Sequence, residues 1–244
     1  MNHASKTADN TQNIARKARH STKGFLKTLE RLHQKEPHLN YKKHRVIARI
    51  RTHNGKIYEE WIPVFDRGLA WTHTFHRGGV LTFRPKEVPV ARLEEIEKEM
   101  GNCQWLQYKI RKVFEPRVHV LFSDHEGTGY KYGNLKMKAH DIAQLPKIHE
   151  FAKERAMDHQ IRKWNIGADL VCYRDGQDGI VWHRDSSQGE NIVESLIVSS
   201  PEEVRSLCIQ ALGDPQKGDE QLELFPNAGD IYSMDGTCHE EICS

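Results

Sequence analysis

Hydrophobic residues recur at helical spacing in three segments of the first 160 residues. Apolar side chains in residues 24–34 recur about once per helical turn, which predicts a short amphipathic helix. Residues 88–101 predict a second helix that ends at Gly101, because glycine commonly follows the last helical turn. Residues 141–160 predict a third helix, with Pro146 near its start.

Other segments show the alternation of apolar and polar residues that is typical of strands. Residues 46–50 and 57–62 flank an Asn54-Gly55 pair, which predicts a β-hairpin. Beyond residue 165, short apolar segments alternate with turns rich in Gly and Asp, which is typical of a barrel or a jelly roll. The other predicted strands are 80–83, 113–114, 118–122, 168–173, 180–184, 191–199, 205–211 and 229–233. The predicted fold class is therefore mainly β with flanking helices (α+β).

Charge divides the chain more sharply than its overall balance shows. The 244 residues carry a formal net charge of +2, but residues 1–57 hold 14 Lys and Arg against 3 Asp and Glu. Residues 58–244 hold 22 Lys and Arg against 31 Asp and Glu. We therefore predict a basic, partly disordered extension over 1–57, a linker and hairpin over 58–77, and one domain over 78–244.

The composition argues against a membrane protein. Hydrophobic residues make up 37% of the chain and the mean hydropathy is −0.72. No stretch approaches the ~20 consecutive apolar residues that a spanning helix needs. The first 13 residues lack the apolar core of a secretory signal, and the five scattered cysteines form no paired motif. These features predict an intracellular protein of the nucleus or cytoplasm; the basic, acid-poor first 23 residues leave the mitochondrion as the alternative.

The clearest chemical motif is His183-Arg184-Asp185. Residues two apart on a strand point to the same face, so the imidazole of His183 and the carboxylate of Asp185 can bind one metal ion. Two histidines and one carboxylate form a facial triad that suits non-haem iron(II) and leaves open coordination positions. A His-x-Asp pair alone is more commonly a surface ion pair, so the surrounding residues decide the interpretation.

Residues 115–236 resemble the AlkB-like branch of the iron(II)/2-oxoglutarate-dependent dioxygenases. The resemblance rests on motifs that share the order and spacing of that family, although none is specific alone. They are Pro116-Arg117, Tyr130-Lys131-Tyr132-Gly133, Trp164-Asn165 ahead of Tyr173-Arg174-Asp175-Gly176, Trp182-His183-Arg184-Asp185, Arg205 after Ser199-Ser200, and Gly229-Asp230 ahead of Gly236. The helix predicted over 88–101 also fits the family.

The resemblance implies a double-stranded β-helix (jelly roll) that holds Fe(2+) and takes 2-oxoglutarate as its cosubstrate. The implied reaction couples decarboxylation of 2-oxoglutarate to hydroxylation of a C–H bond. In this branch the target is often an N-methyl group on a nucleobase, which leaves as formaldehyde. His183 and Asp185 are the implied catalytic iron ligands, and Tyr173 is the implied hydrogen-bonding partner of the cosubstrate. Tyr130 and Tyr132 match the lid region that contacts the substrate, where an aromatic face can stack on a base.

The sequence departs from the family pattern at three places. Val171 stands where the family has an asparagine that contacts 2-oxoglutarate. His239 is the only histidine after Asp185 and the candidate third iron ligand, although the family's distal histidine lies a few residues further on; one of the two glutamates that follow it is the alternative. No arginine follows Arg205, whereas the family anchors the far carboxylate of 2-oxoglutarate on one. We therefore expect either a chain truncated at its C-terminus, with an incomplete jelly roll, or a degenerate member.

Two functions of different classes follow from these observations. The first is an enzyme, a monomer that oxidatively dealkylates (demethylates) nucleobases in DNA or RNA. The alternative is a catalytically inactive nucleic-acid-binding member of the same fold, since the basic residues of 1–57 can contact phosphates without reading sequence. A protein hydroxylase with the same iron chemistry is a third candidate, because one fold hosts many substrates.

Overall fold

A computed structural model of the chain defines its architecture. It describes residues 44–52, 54–63, 70–75, 78–110, 113–125, 131–132, 135–161, 167–174, 178–179, 192–200, 205–211, 220–235 and 242–243. The chain divides into two compact units. We call residues 1–87 with 183–244 the sandwich unit, and residues 88–182 the central unit.

A five-stranded antiparallel sheet forms one layer of the sandwich unit. In spatial order its strands are β16 (Ile242–Cys243), β13 (Leu207–Ala211), β14 (Glu220–Leu224), β1 (His44–Arg51) and β2 (Ile57–Pro63). The sheet thus combines the first two strands of the described chain with strands from its last quarter. Only long-range pairing, chiefly Ile50 opposite Leu222, joins these two parts of the sequence.

A four-stranded antiparallel sheet forms the other layer. In spatial order its strands are β12 (Val193–Leu196), β15 (Ile231–Met234), β4 (Val80–Arg84) and β3 (Trp71–Thr74). Leu81 and Phe83 of this sheet share one buried cluster with Ile47, Ile209 and Leu222 of the five-stranded sheet. Two antiparallel sheets that bury their alternating residues against each other form a β-sandwich, which confirms the predicted mainly β, jelly-roll fold class.

The structure corrects the predicted role of part of the basic extension. β1 begins at His44 and lies between β2 and β14, with Ile47 and Ala48 fully buried. Residues 44–57 of the predicted extension are therefore part of the sandwich core. The charged residues hid this role because Arg45, Arg49 and Arg51 alternate with the buried positions and point away from the cluster.

The predicted hairpin with an Asn54-Gly55 turn is confirmed. β1 and β2 are antiparallel neighbours, and the N–H of Gly55 donates to the carbonyl of Thr52 at 2.8 Å. Gly55 has a φ of +78°. Most L-residues avoid this left-handed region because Cβ approaches the following carbonyl oxygen. The glycine therefore permits the tight reversal.

Replacing Gly55 with alanine is expected to destabilise the fold by about 1–2 kcal/mol, through backbone strain alone. A Cβ built at Gly55 has no other atom within 4 Å, so steric overlap adds nothing. Gly101→Ala is the matched control, because Gly101 has a helical φ of −60° and a Cβ there meets neighbours only at 3.5 Å and 3.6 Å. We expect that variant to be neutral or slightly more stable. Urea unfolding of both variants tests the difference; equal midpoints would contradict it.

A buried polar cluster closes one end of the sandwich. The carboxylate of Asp230 is fully buried and forms an ion pair with Arg45. It also accepts hydrogen bonds from the backbone N–H of Lys86 at 2.8 Å and of Asn227 at 2.7 Å. Arg45 in turn donates through Nη1 to the carbonyl oxygen of Phe225 at 3.0 Å. One carboxylate thus joins β1, the turn after β4 and the turn before β15.

β14 is a strand that the sequence pattern did not predict. Its sequence, Glu-Gln-Leu-Glu-Leu, is rich in residues that are rare in strands. Leu222 and Leu224 are nevertheless fully buried, while Glu220 is held by a 3.1 Å contact between its Oε1 and Nε2 of His73 in the other sheet. The alternation was present, but the charged residues concealed it.

The central unit contains a three-stranded sheet and two short hairpins. β7 (Val118–Ser123) lies in the middle of the sheet, antiparallel to β11 (Gly167–Cys172) and parallel to β10 (His140–Asp141). One hairpin pairs β5 (Lys109–Ile110) with β6 (Val113–Phe114), and the other pairs β8 (Lys131–Tyr132) with β9 (Leu135–Lys136). The predicted strands 113–114, 118–122 and 168–173 are confirmed to within one residue at each end.

Two helices pack in the same unit. α1 spans Val90–Met100 and α2 spans Pro146–Asp158, preceded by a 3-10 turn over Ile142–Gln144. Pro146 occupies the start of α2, where its missing N–H costs no hydrogen bond. The carboxylate of Glu99 accepts from the N–H groups of Lys147 and Ile148 at 2.8 Å and 3.1 Å, and so caps α2 from a neighbouring helix. The helices predicted over 88–101 and 141–160 are therefore confirmed.

Two predicted elements, the helix over 24–34 and the strand over 180–184, lie outside the described residues. Within the described part of the chain, no helix combines the length and the apolar composition that crossing a membrane requires.

Candidate functional site

The structure describes only part of the predicted site. Tyr173 follows directly after β11 and is half-buried. Tyr132 lies in β8, where only its backbone is described. Tyr130 and the three predicted iron ligands, His183, Asp185 and His239, lie outside the described residues. Their roles therefore stay predictions.

Strand register brings Tyr173 opposite the Pro-Arg motif. β11 pairs with β7 so that Cys172 lies opposite Val118. Continuing that antiparallel register by one position places Tyr173 opposite Arg117, and the two side chains form a hydrogen bond. Two sequence motifs more than fifty residues apart thus meet at one end of this sheet.

The guanidinium of Arg117 has acidic neighbours as well. Its Nη2 lies 3.5 Å from Oε1 of Glu115, and the side chain is only 15% exposed. Burial acts to lower the pKa of Arg117, but Tyr173, Glu115 and Asp169 raise it by more, so its pKa lies above the usual value. Arg117 is therefore a fixed cation beside the hydroxyl of Tyr173.

His119 lies two residues further along β7 and is held between two carboxylates. Its Nε2 lies 2.8 Å from Oε2 of Glu115, and its Nδ1 lies 3.2 Å from Oδ1 of Asp169. The ring of Tyr108 meets it edge to face, with 4.7 Å between the ring centroids. Burial, with the charges of Asp169 and Glu115, raises the pKa of the Tyr108 phenol. The imidazole is thus fixed from both sides, and it fixes in turn the glutamate that contacts Arg117.

The turn after Tyr173 is fixed by a single aspartate. The buried carboxylate of Asp178 accepts from the backbone N–H of Arg174 at 2.8 Å. It also accepts from Nε and Nη2 of the same guanidinium at 2.8 Å and 3.0 Å, a bidentate pair. This turn leads towards the segment that carries His183 and Asp185, so Asp178 restrains where that segment begins.

Sequence reasoning missed Glu115, His119 and Asp169. A signal was present, since Glu115, Arg117 and His119 are two apart and therefore share one face of the strand. The partner on β11 could not be identified without the register, because Asp169 has no motif of its own.

The cysteines offer no reactive thiol in the described regions. Cys103, Cys172 and Cys208 are free there. Burial, with the charge of Glu99, raises the pKa of the Cys103 thiol; burial and Glu223 do the same for Cys208. A raised pKa keeps a thiol protonated and poorly nucleophilic at neutral pH.

Among the residues that the structure describes, no group of three or more His, Cys, Asp or Glu side chains is arranged to hold a metal ion. The predicted donor set itself, two imidazoles and one carboxylate, has the composition that non-haem iron(II) prefers. Together with a tyrosine hydroxyl that can donate to a carboxylate, these residue types fit the predicted metal and cosubstrate.

Comparison with protein families identifies the chain. Residues 81–241 match the model of the 2OG-Fe(II) oxygenase superfamily. The match spans 161 of the 244 residues and includes every predicted iron ligand and Tyr173. A comparison with curated proteins finds no significant match. The family uses Fe(2+) and 2-oxoglutarate, which confirms the predicted metal and cosubstrate. The chain therefore belongs to the 2OG-Fe(II) oxygenase superfamily and is an iron(II)/2-oxoglutarate-dependent dioxygenase.

Proposed function

We propose that this dioxygenase is AlkB-like and oxidatively dealkylates bases of DNA or RNA. His183, Asp185 and His239 would hold the iron, and Tyr173 would bind 2-oxoglutarate. When bound, iron(II) and 2-oxoglutarate supply the oxidation, which couples decarboxylation of 2-oxoglutarate to hydroxylation of a substrate C–H bond. The protein's own part is to hold the cosubstrate and to present the alkylated base.

The observation that carries the nucleic-acid proposal is the hairpin formed by β5 and β6. The side chain of Phe114 is 57% exposed, which is unusual for a phenylalanine. The ammonium of Lys109 lies 5.2 Å from the centre of its ring. Residues 109–114 also include Arg111 and Lys112 in the sequence. An exposed aromatic ring among cations suits a polyanion whose bases can stack.

We expect Phe114→Ala to weaken binding to single-stranded DNA or RNA about tenfold, because stacking on an aromatic ring contributes about 1–3 kcal/mol per base. Fluorescence anisotropy with labelled oligonucleotides measures the affinity. Met157→Ala is the control, since Met157 is an equally exposed apolar side chain, 64% accessible, on α2 of the same unit. Equal affinities for both variants would count against a stacking role for the hairpin.

The reaction itself is tested with N-methylated substrates. Purified protein, iron(II) and 2-oxoglutarate are incubated in air with methylated single-stranded DNA, methylated RNA, or a histidine- and lysine-rich peptide pool. Formaldehyde release and loss of the methyl group from an oligonucleotide support the proposal. Oxidation of peptides alone favours the protein hydroxylase, and binding of nucleic acid without any turnover favours the inactive alternative.

The contribution of the basic segment has to be tested without deleting residues 1–57, because β1 is part of the core sheet. Replacing Lys42 and Lys43 with glutamine removes two charges next to that strand. If these lysines contact phosphates, the affinity should fall and its dependence on salt concentration should become shallower.

A further inference from the structure

We propose that Arg117 is a positioning residue for 2-oxoglutarate, which orients the hydroxyl of Tyr173 towards a carboxylate of the cosubstrate. This inference rests on the proposed role of Tyr173. It assigns a function to an arginine that otherwise reads as the ion-pair partner of Glu115.

The ion pair with Glu115 does not account for Arg117. The contact is long, 3.5 Å, and only Nη2 takes part in it. The other carboxylate oxygen of Glu115 is taken by His119 at 2.8 Å. In the described part of the chain, the Nε of Arg117 is buried without a hydrogen-bond partner. A guanidinium buried for stability alone would be expected to satisfy its donors.

The hydrogen bond to Tyr173 has a fixed direction. An arginine has five donors and no acceptor, so the phenolic oxygen of Tyr173 must accept. That bond uses a lone pair and leaves the hydroxyl hydrogen to be donated elsewhere. A hydroxyl that accepts from a cation is also polarised, which strengthens the bond that it donates. An anion is the best acceptor for such a donor, because hydrogen bonds to charged groups are about twice as strong as neutral ones.

The neighbouring residues keep this arrangement rigid. Arg117 and Tyr173 directly flank paired ends of β7 and β11, so the backbone fixes their separation. Glu115 holds the guanidinium from the other side and is itself held by His119. The bidentate Arg174–Asp178 pair fixes the chain immediately after Tyr173. A preformed donor binds a carboxylate without an ordering cost at the time of binding.

A double-mutant cycle on 2-oxoglutarate binding tests the proposal. The dissociation constant is measured without oxygen, both from the visible charge-transfer band of the iron(II) protein and by calorimetry. We expect Tyr173→Phe and Arg117→Met each to raise it about tenfold, and the double variant to be no weaker than the weaker single variant. Arg117→Lys keeps a cationic donor and should recover part of the loss. Arg92→Met, which removes another partly buried arginine from the same unit, should leave the constant unchanged.

The outcomes separate this proposal from the proposed function. Multiplicative losses, about a hundredfold for the double variant, would show that Arg117 acts independently of Tyr173 and would overturn the inference. Unchanged binding in both Arg117→Met and Arg117→Lys would overturn it as well, while the function stands. Wild-type protein that binds no 2-oxoglutarate by either measurement would refute both. Since Arg117→Met can disturb folding, circular dichroism is recorded for each variant, and Arg117→Lys with Tyr173→Phe gives a second cycle.

Discussion

The His183→Ala variant is expected to lose entirely the visible absorption band that the wild-type protein gives with iron(II) and 2-oxoglutarate. Asp185→Ala should have the same effect, because a facial triad that loses one of its three protein ligands no longer holds the chelate. Dealkylation of a methylated oligonucleotide should disappear with the band. Anaerobic absorption titration and formaldehyde release measure the two effects separately.

The control for these variants is His125→Ala. His125 is an exposed histidine of the central unit, and its ring lies 3.6 Å from its neighbour Asp124. Its removal should leave both the band and the turnover unchanged. A band that persists in His183→Ala at wild-type iron concentrations would show that the iron ligands lie elsewhere in the chain. Nucleic-acid binding should survive in both ligand variants, because phosphate contacts and base stacking do not need the metal.

The second large effect concerns stability. Asp230→Ala is expected to lower the free energy of unfolding by about 3–5 kcal/mol, since it leaves Arg45 as a buried charge without its carboxylate. The variant also leaves the N–H groups of Lys86 and Asn227 without their acceptor. A loss of this size is a large part of the 5–15 kcal/mol that is typical of a folded protein. Equilibrium unfolding in urea, followed by circular dichroism, measures it.

Glu223→Ala provides the comparison. Glu223 pairs with Arg49 at 3.0 Å, on the same sheet, but both side chains are substantially exposed. Exposed ion pairs contribute about 0–1 kcal/mol, so this variant should unfold close to the wild-type midpoint. If the two variants lose equal stability, burial is not what gives the Asp230 cluster its importance.

The helices and most strands could be predicted because their local pattern agrees with their final environment. β4 alternates buried and half-buried positions, and α1 buries Leu93 and Ile96 on one face. β14 was missed because its glutamates contradict the local preference, and only tertiary contacts stabilise it. Residues 44–51 were assigned to a basic extension for a related reason. Charge is visible in sequence, whereas the sheet that covers the alternate residues is not.

The site shows the same limit more clearly. Tyr173 was predicted because it belongs to a motif that resembles a known family. Its pairing with Arg117 depends on the register between β7 and β11, which no local pattern encodes. His119 and Asp169 are likewise joined only across these two strands. Spacing in sequence therefore identifies single functional residues better than the network that holds them.

The position of β1 also has a consequence for how the protein is made. Arg49 of β1 and its partner Glu223 are 174 positions apart in sequence. At a translation rate of about 5–20 residues per second, β1 leaves the ribosome on the order of 10–30 s before β14. During that interval its buried positions, among them Ile47 and Ile50, lack their final neighbours. The nascent chain thus carries an incomplete sheet edge, a template for aggregation, and cellular yield should depend on chaperones that bind it during synthesis.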